Sequence, residues 1–182
     1  MSAFMDSIDA PNWYVVAGGP SSGKTTLWKS IGKLGYYMVP EAAQAIIEEN
    51  AAKGITLEEL RRDGIRFNKM CLQRDIQLEE GVPRDKIVFF DRSIIDNIAY
   101  HKMLGMPTGH IEAIVRGRYR KVFFMQPLNF YEKGALRTED AELAGKLSGM
   151  LLSTYQDMGC QVVEVPPVSV EERVSFVLSR LD

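Results

Sequence analysis

The sequence predicts a three-layer α/β/α domain built around a five-stranded parallel sheet. Five short apolar runs recur along the 182 residues, and each is nearly continuous rather than alternating. Continuous runs of this kind are typical of strands that are covered by helices on both faces. Segments with helical patterns separate the runs, so strand and helix alternate along the chain. The runs are residues 13–17, 36–39, 86–90, 121–125 and 161–165.

The sequence predicts where several of the intervening helices begin and end. Three of them are predicted to begin at a capping box, in which a Ser or Thr precedes an acid by three residues: Thr56, Ser93 and Ser169. Three glycines are expected to end helices: Gly35, Gly81 and Gly159. In such a sheet, ligands bind at the carboxyl ends of the strands, so the residues that follow the strands are the ones to examine for function.

The turn between the first strand and the first helix contains a phosphate-binding motif, the P-loop G-x-x-x-x-G-K-[ST]. We expect the nucleotide to bind at Gly18, Gly19, Pro20, Ser21, Ser22, Gly23, Lys24, Thr25 and Thr26. Glycines let backbone N–H groups converge on phosphate oxygens at a helix N-terminus. Lys24 is expected to bind the β- and γ-phosphates and to be solvated without nucleotide, and the Thr25 hydroxyl to bind Mg²⁺. The alternative is a glycine-rich turn with only a structural role.

Composition limits the class of protein. Its hydrophobic content of 46% and charged content of 25% are ordinary for a globular protein. The length fits a single domain over residues 1–182, in which residues 1–11 are expected to form a loose N-terminal tail. A net charge of −2 and a pI near 5.8 disfavour nucleic-acid binding by bulk electrostatics. Membrane insertion is not expected, because no apolar run approaches about 20 residues. Residues 1–11 lack a signal-peptide pattern and the two cysteines are isolated, which predicts a cytoplasmic protein.

A helical insertion is predicted between the second and third strands. About forty residues, 41–84, separate these strands and read as two helices, whereas a minimal crossover needs roughly 10–12 residues. Small P-loop kinases build the site for their phosphoryl acceptor here, and a longer covering helix is the alternative. Glu41 ends the second strand and is a candidate general base. The alternative for Glu41 is a favourable charge at a helix start.

The third run ends in an acid followed by an arginine, Asp91-Arg92. Four apolar residues ending in Asp are typical of a Walker-B strand, which places the carboxylate on the Mg²⁺ side of the P-loop. Asp91 is therefore a candidate metal-binding and catalytic residue, and an N-cap of the next helix is the alternative. The pair resembles the acid–Arg signature of thymidylate and deoxynucleoside kinases, in which Arg92 would bind phosphate or the catalytic carboxylate. Otherwise Arg92 is simply exposed at a strand end.

Residues 126–138 are predicted to form a lid after the fourth strand. P-loop kinases carry mobile arginines here that close on the transferring phosphoryl group, so Arg137 is a candidate catalytic residue, with Lys133 second. The alternative is that Arg137 pairs with a neighbouring acid in the next helix.

The end of the fourth strand bears on the choice of nucleotide. A preference for guanine usually shows as an N/T-K-x-D pattern at this strand end, and the sequence lacks it. ATP is therefore favoured as donor, while GTP stays possible.

Other charged residues carry less information. The basic cluster at residues 116–121 lies at the amino end of the fourth strand, opposite the nucleotide, and is expected to be structural. His101 and His110 have no metal-ligand spacing. Within the insertion, Gln73 and Arg74 are the residues most expected to reach the acceptor.

Taken together, the motifs resemble a small AAA-type P-loop ATPase and kinase family related to the nicotinamide-riboside kinase domains of NAD regulators. The resembling pieces, GGPSSGKTT, VPEAA, FFDRS and RTED among them, span residues 13–180. The resemblance implies a P-loop NTPase fold of the nucleoside- and nucleotide-kinase type, with strand order 2-3-1-4-5. It also implies phosphoryl transfer from Mg-ATP to an unidentified small-molecule acceptor, of nucleoside type or related to it. The alternative is an ATPase or GTPase switch without such an acceptor; the oligomeric state stays open.

Overall fold

The computed structural model describes residues 10–127 and 141–182. Its five strands form one sheet in the order β2-β3-β1-β4-β5, and every neighbouring pair is parallel. The predicted fold class and strand order are therefore confirmed. The strands are β1 (Trp13–Gly18), β2 (Tyr37–Val39), β3 (Val88–Asp91), β4 (Lys121–Met125) and β5 (Val162–Val165).

Helices cover both faces of this sheet because successive strand residues point to opposite sides. From β1, Val15 and Ala17 pack in one apolar cluster with the helices that lie between residues 64 and 157, whereas Tyr14 and Val16 pack in a second cluster with the first and the last helix. Every residue of β1, β3 and β4 is buried, which explains their continuous apolar runs. The helices are α1 (Lys24–Gly32), α2 (Ala42–Ala51), α3 (Leu57–Arg62), α4 (Gly64–Glu80), α5 (Ile94–Met103), α6 (Gly109–Val115), α7 (Ala141–Asp157) and α8 (Val170–Leu178).

The predicted helix starts are confirmed, and the predicted ends hold in part. All three capping boxes form, at Thr56, Ser93 and Ser169. Gly35 and Gly159 have the positive φ angles of 91° and 76° that suit a glycine at a helix end. Gly81 also ends a helix, as the C-cap of α4, but with a φ of −97° rather than a positive angle.

The insertion between β2 and β3 has three helices, α2 to α4, rather than the predicted two. The extra break lies at Asp63, whose φ of −102° and ψ of 82° end α3. Its side chain accepts a hydrogen bond from Arg66 N and so begins α4. The sequence reads as one continuous helix here because both sides of the break are rich in helix-forming residues.

Within residues 10–127 and 141–182, no helix is long and apolar enough to span a bilayer.

Candidate functional site

The P-loop between β1 and α1 needs its glycines for two physical reasons. Gly18 and Gly23 have φ angles of 140° and 83°, which L side chains rarely adopt. The loop also passes very close to its neighbours. A Cβ on Gly18 would lie 2.7 Å from the backbone oxygen of Met125, and one on Gly19 would lie 2.7 Å from Ser148 Cβ. The loop is thus fitted against β4 on one side and α7 on the other.

Lys24, at the start of α1, is buried rather than solvated, so the expectation of an exposed charge was wrong. Only 3% of the residue is exposed. Its ammonium donates a hydrogen bond of 2.6 Å to the Gly19 carbonyl, with Ser22 Oγ at 3.5 Å. Backbone and hydroxyl oxygens of the curled loop replace water around the charge, which sequence patterns do not reveal. The ammonium is therefore already held inside the loop that would surround the phosphates.

Asp91, the last residue of β3, lies beside the P-loop because β3 pairs with β1, Val16 opposite Asp91. Its Oδ2 accepts a hydrogen bond of 3.4 Å from the Thr25 hydroxyl. Its Oδ1 is buried and has no hydrogen-bond partner among residues 10–127 and 141–182. Burial and the charge of Glu41 raise the pKa of Asp91 to about 6, against the opposing effect of Lys24 and Arg92.

Thr25 and Asp91 together fit Mg²⁺. A hydroxyl beside a buried carboxylate oxygen with no hydrogen-bond partner matches the hard oxygen ligands that this ion takes. The part of the chain that the structure describes contains no group of three or more His, Cys, Asp or Glu residues able to hold a metal. Mg²⁺ sites commonly use one or two protein ligands together with phosphate oxygens and water, so two residues suffice.

Arg92 follows Asp91 in the left-handed region, with φ of 68°, where β3 turns into α5. Its Nε lies 2.9 Å from Glu41 Oε1, and its Nη1 lies 3.3 Å from Asp96 Oδ1. The contact with Glu41 is an ion pair by distance, but the Nε–H is not directed along a good hydrogen bond. The side chain is 14% exposed. Burial opposes the charge, but Tyr100 and then the neighbouring carboxylates raise the pKa of Arg92 well above its ordinary value. The guanidinium is thus a permanent cation between two acids.

Glu41 precedes α2 and occupies its N-cap position, yet its side chain makes no capping hydrogen bond. The carboxylate instead extends to Arg92 and is 27% exposed. The carboxylate therefore has a partner in the site, and its charge also lies at the start of α2, where the helix dipole favours it.

A cavity of about 820 Å³ joins these residues to the helical insertion. Pro20 and Thr25 line it beside the P-loop, and Glu41, Asp91 and Arg92 line it where β2 and β3 end. The helices α3, α4 and α5 contribute Arg61, Phe67, Asn68, Asp75, Asn97 and Tyr100. The insertion thus contributes residues to the wall of the cavity as well as covering the sheet.

Arg61 lines the cavity, but the two residues that the sequence favoured do not. Gln73 is exposed outside it, and Arg74 forms an ion pair of 2.6 Å with Glu49 on α2. The face that α4 turns to the cavity was misjudged because its polar residues surround the helix.

Sequence reasoning also missed Asp75 and Asn97, which form a polar pair on the cavity wall. Asn97 Nδ2 donates a hydrogen bond of 2.7 Å to Asp75 Oδ2. Burial, with the charges of Asp96, Glu79 and Glu41, raises the pKa of Asp75 to about 7, although the Asn97 hydrogen bond opposes the rise. No sequence signal marks this pair, because the two residues come from different helices and match no motif.

Residues expected to be structural do lie apart from the cavity. At the amino end of β4, Arg118 and Tyr119 both hydrogen-bond the buried carboxylate of Glu79. Lys121 pairs with Asp182 at 2.9 Å. Arg137 and Lys133, and nearly all of the predicted lid at 126–138, lie outside the described residues.

Comparison with known proteins extends this description. A family model described as an AAA domain matches residues 13–173. No curated protein sequence matches the chain. Among solved structures, NadR in complex with NR has a TM-score of 0.68 at 20% identity, over 96% of this chain and 52% of that one. This chain therefore spans about half the length of NadR.

Two kinases are similar over nearly their whole length. Deoxyadenosine kinase from M. mycoides, with dCMP and a flexible dCDP bound, has a TM-score of 0.66 at 17% identity, over 93% of this chain and 98% of that one. Thymidylate kinase from Candida albicans has a TM-score of 0.60 at 15% identity, over 94% and 90%. At such identities the likeness shows the fold alone. With the family match over residues 13–173, it shows that this chain belongs to the AAA-domain family and has the fold of small P-loop kinases.

Proposed function

We propose that this protein is a small-molecule kinase that transfers the γ-phosphoryl group of ATP to a hydroxyl of a small acceptor. The observation that carries the proposal is the single cavity that runs from the P-loop into the helical insertion. Glu41, Asp91 and Arg92 lie along it, between the expected positions of donor and acceptor. A switch that only hydrolyses nucleotide has no need of a cavity that extends from the phosphate site into the helical insertion.

The donor would bind at the P-loop. Backbone N–H groups at the start of α1 would bind its phosphates, and Lys24 would exchange its bond to the Gly19 carbonyl for phosphate oxygens. Thr25 and Asp91 would hold Mg²⁺, which when bound neutralises charge on the phosphates. ATP remains favoured over GTP on sequence grounds.

The acceptor hydroxyl would lie near Glu41. As the oxygen bonds to the γ-phosphorus and the bond to the ADP oxygen breaks, the hydroxyl proton would pass to the Glu41 carboxylate. Arg92 would hold that carboxylate in place through their 2.9 Å contact. Arg137 remains proposed as the cation that covers the transferring group. Catalysis would come mainly from positioning and electrostatics.

The relatives narrow the class of acceptor to test. The structures similar to this one include proteins with NR or dCMP bound, and a thymidylate kinase. Nucleosides, nucleoside-like ribosides and nucleoside monophosphates are therefore the first acceptors to screen.

The test is acceptor-stimulated release of ADP from Mg-ATP by the purified protein, with the phosphorylated product identified by mass spectrometry. We expect at least one acceptor to raise the rate well above slow hydrolysis by water. If no acceptor stimulates, and nucleotide binding is intact, the switch or regulatory function replaces this proposal.

A further inference from the structure

A buried tyrosine on α7 is joined to the site by a chain of side-chain contacts. Tyr155 is fully buried, and its hydroxyl donates a hydrogen bond to Asp96 Oδ2. The same hydroxyl lies 2.9 Å from Ser93 Oγ. Apolar packing alone would not place a polar oxygen here, since burying a hydroxyl without a partner is costly. The hydroxyl therefore has a defined role in this contact.

Asp96 connects Tyr155 to Arg92. It is 3% exposed, and its two oxygens serve different partners. Oδ2 accepts hydrogen bonds from Tyr155 and, at 2.9 Å, from the backbone N–H of Ser93. Oδ1 faces Arg92 Nη1 at 3.3 Å. The orientation of the carboxylate, and thus of the oxygen that meets Arg92, depends on the donors that hold Oδ2.

Arg92 in turn lies between Asp96 and Glu41. Besides Asp96, its Nη1 donates to the Tyr100 hydroxyl at 3.2 Å, and its Nε lies 2.9 Å from Glu41. A guanidinium is a rigid plane, so fixing Nη1 sets the direction in which Nε points. The order of contacts is Tyr155, Asp96, Arg92 and Glu41.

The same helix also abuts the phosphate loop. Ser148 on α7 lies so close to Gly19 that a Cβ there would be 2.7 Å from the Ser148 Cβ. The helix α7 therefore contacts the phosphate loop through Ser148 and, through Tyr155, contacts Asp96, the partner of Arg92. Ser148 and Tyr155 are seven residues apart, two turns of one helix face.

We propose that Tyr155 is a positioning residue: through Asp96 it sets the orientation of Arg92, and so of Glu41, relative to the phosphate loop that α7 also contacts. The role in catalysis rests on the kinase function proposed above, whereas the effect on Arg92 does not. Burial and the Asp96 charge raise the pKa of Tyr155 well above its ordinary value, so the hydroxyl stays a donor at any working pH.

The test compares Tyr155→Phe with Tyr119→Phe. Both tyrosines are buried, and each donates to a buried carboxylate, but the carboxylate that Tyr119 meets is Glu79 on α4, which pairs with Arg118 rather than Arg92. The Tyr119 hydroxyl also accepts a hydrogen bond of 3.2 Å from the Ile94 N–H at the start of α5, so the comparison isolates the bond to Asp96. Misplacing a catalytic group by about 1 Å can slow a reaction on the order of a hundredfold, even when the substituted residue lies away from the reacting atoms. We expect Tyr155→Phe to lower kcat at least about tenfold with little change in the KM for ATP, and Tyr119→Phe to leave kcat near that of the parent.

A second readout does not need activity. The Arg92 Nε–H resonance, assigned by its loss in Arg92→Lys, should shift and exchange faster with water in Tyr155→Phe but not in Tyr119→Phe. If Tyr155→Phe unfolds, Asp96→Asn is measured instead and should move the same resonance. Movement of the resonance in a protein that phosphorylates no acceptor would leave the positioning intact and overturn the kinase function alone. An unchanged resonance, or equal losses of kcat in the two Tyr→Phe variants, would overturn the inference.

Discussion

Replacing Asp75 by Asn should remove a pH dependence from the stability of the protein. The pKa of this carboxyl is raised from 3.8 to about 7 in the folded state, mainly by burial. The folded state thus binds more protons at this group than the unfolded state does between these values. The contribution of this carboxyl to stability is therefore fully present below about pH 4 and is lost as pH rises through about 7. At about 1.36 kcal/mol per unit, the whole rise corresponds to about 4 kcal/mol.

Between pH 5 and 8, ionisation of Asp75 alone should lower the free energy of unfolding of the parent by up to about 3 kcal/mol. The loss is smaller if water enters the cavity when the carboxyl ionises. Asn at position 75 keeps an oxygen for the 2.7 Å hydrogen bond from Asn97 but cannot ionise. The free energy of unfolding, measured by urea at pH 5, 6, 7 and 8, should therefore fall less steeply in Asp75→Asn than in the parent. Asp91 contributes a similar slope to both proteins.

Asp85→Asn is the matched control, because Asp85 is exposed and its loss should leave the slope unchanged. The reasoning is refuted if Asp75→Asn has the slope of the parent, or if Asp85→Asn removes as much of it.

Three further substitutions test the phosphate site. Asp91→Asn should weaken nucleotide binding in Mg²⁺ far more than in EDTA, and equal losses by calorimetry would mark the carboxylate as structural. Lys24→Ala should abolish triphosphate binding in a protein that still unfolds cooperatively, whereas the exposed Lys33→Ala should bind normally; retained binding in Lys24→Ala would contradict the P-loop assignment. Gly18→Ala should lower the free energy of unfolding by about 1–3 kcal/mol or more, because of its φ of 140° and the 2.7 Å approach of a β4 carbonyl. Gly145→Ala, in open space on α7, should stabilise by up to about 1 kcal/mol, and a loss of stability there would refute the steric account of Gly18.

The features that the sequence predicted well are those encoded locally. The P-loop and the end of β3 are contiguous motifs, and continuous apolar runs identify buried parallel strands. Once the strand order is known, the carboxyl ends of β1, β2 and β3 must meet, which is why Thr25, Glu41 and Asp91 come together.

The features that it missed depend on packing between distant segments. Tyr155 reads as an ordinary core residue of an amphipathic helix, and its contact with Asp96 spans 59 positions. The burial of Lys24 follows from how tightly the loop curls, and that of Asp75 from how α4 rotates against α5. Residue spacing and composition predict neither the burial of Lys24 nor that of Asp75. For Asp75 the reason is that a helix with polar residues on all sides can turn any of several faces inward.

The most direct test of the account is transfer of label from γ-labelled ATP to an acceptor by the parent and by Glu41→Gln. Gln keeps the size of the side chain but cannot accept the hydroxyl proton, while the donor site at the P-loop is untouched. The account predicts labelled acceptor from the parent, none from Glu41→Gln, and equal ATP binding and residual hydrolysis in both. Labelled acceptor formed equally by both proteins would contradict the role of Glu41, and its absence from the parent with every acceptor screened would contradict the kinase function itself.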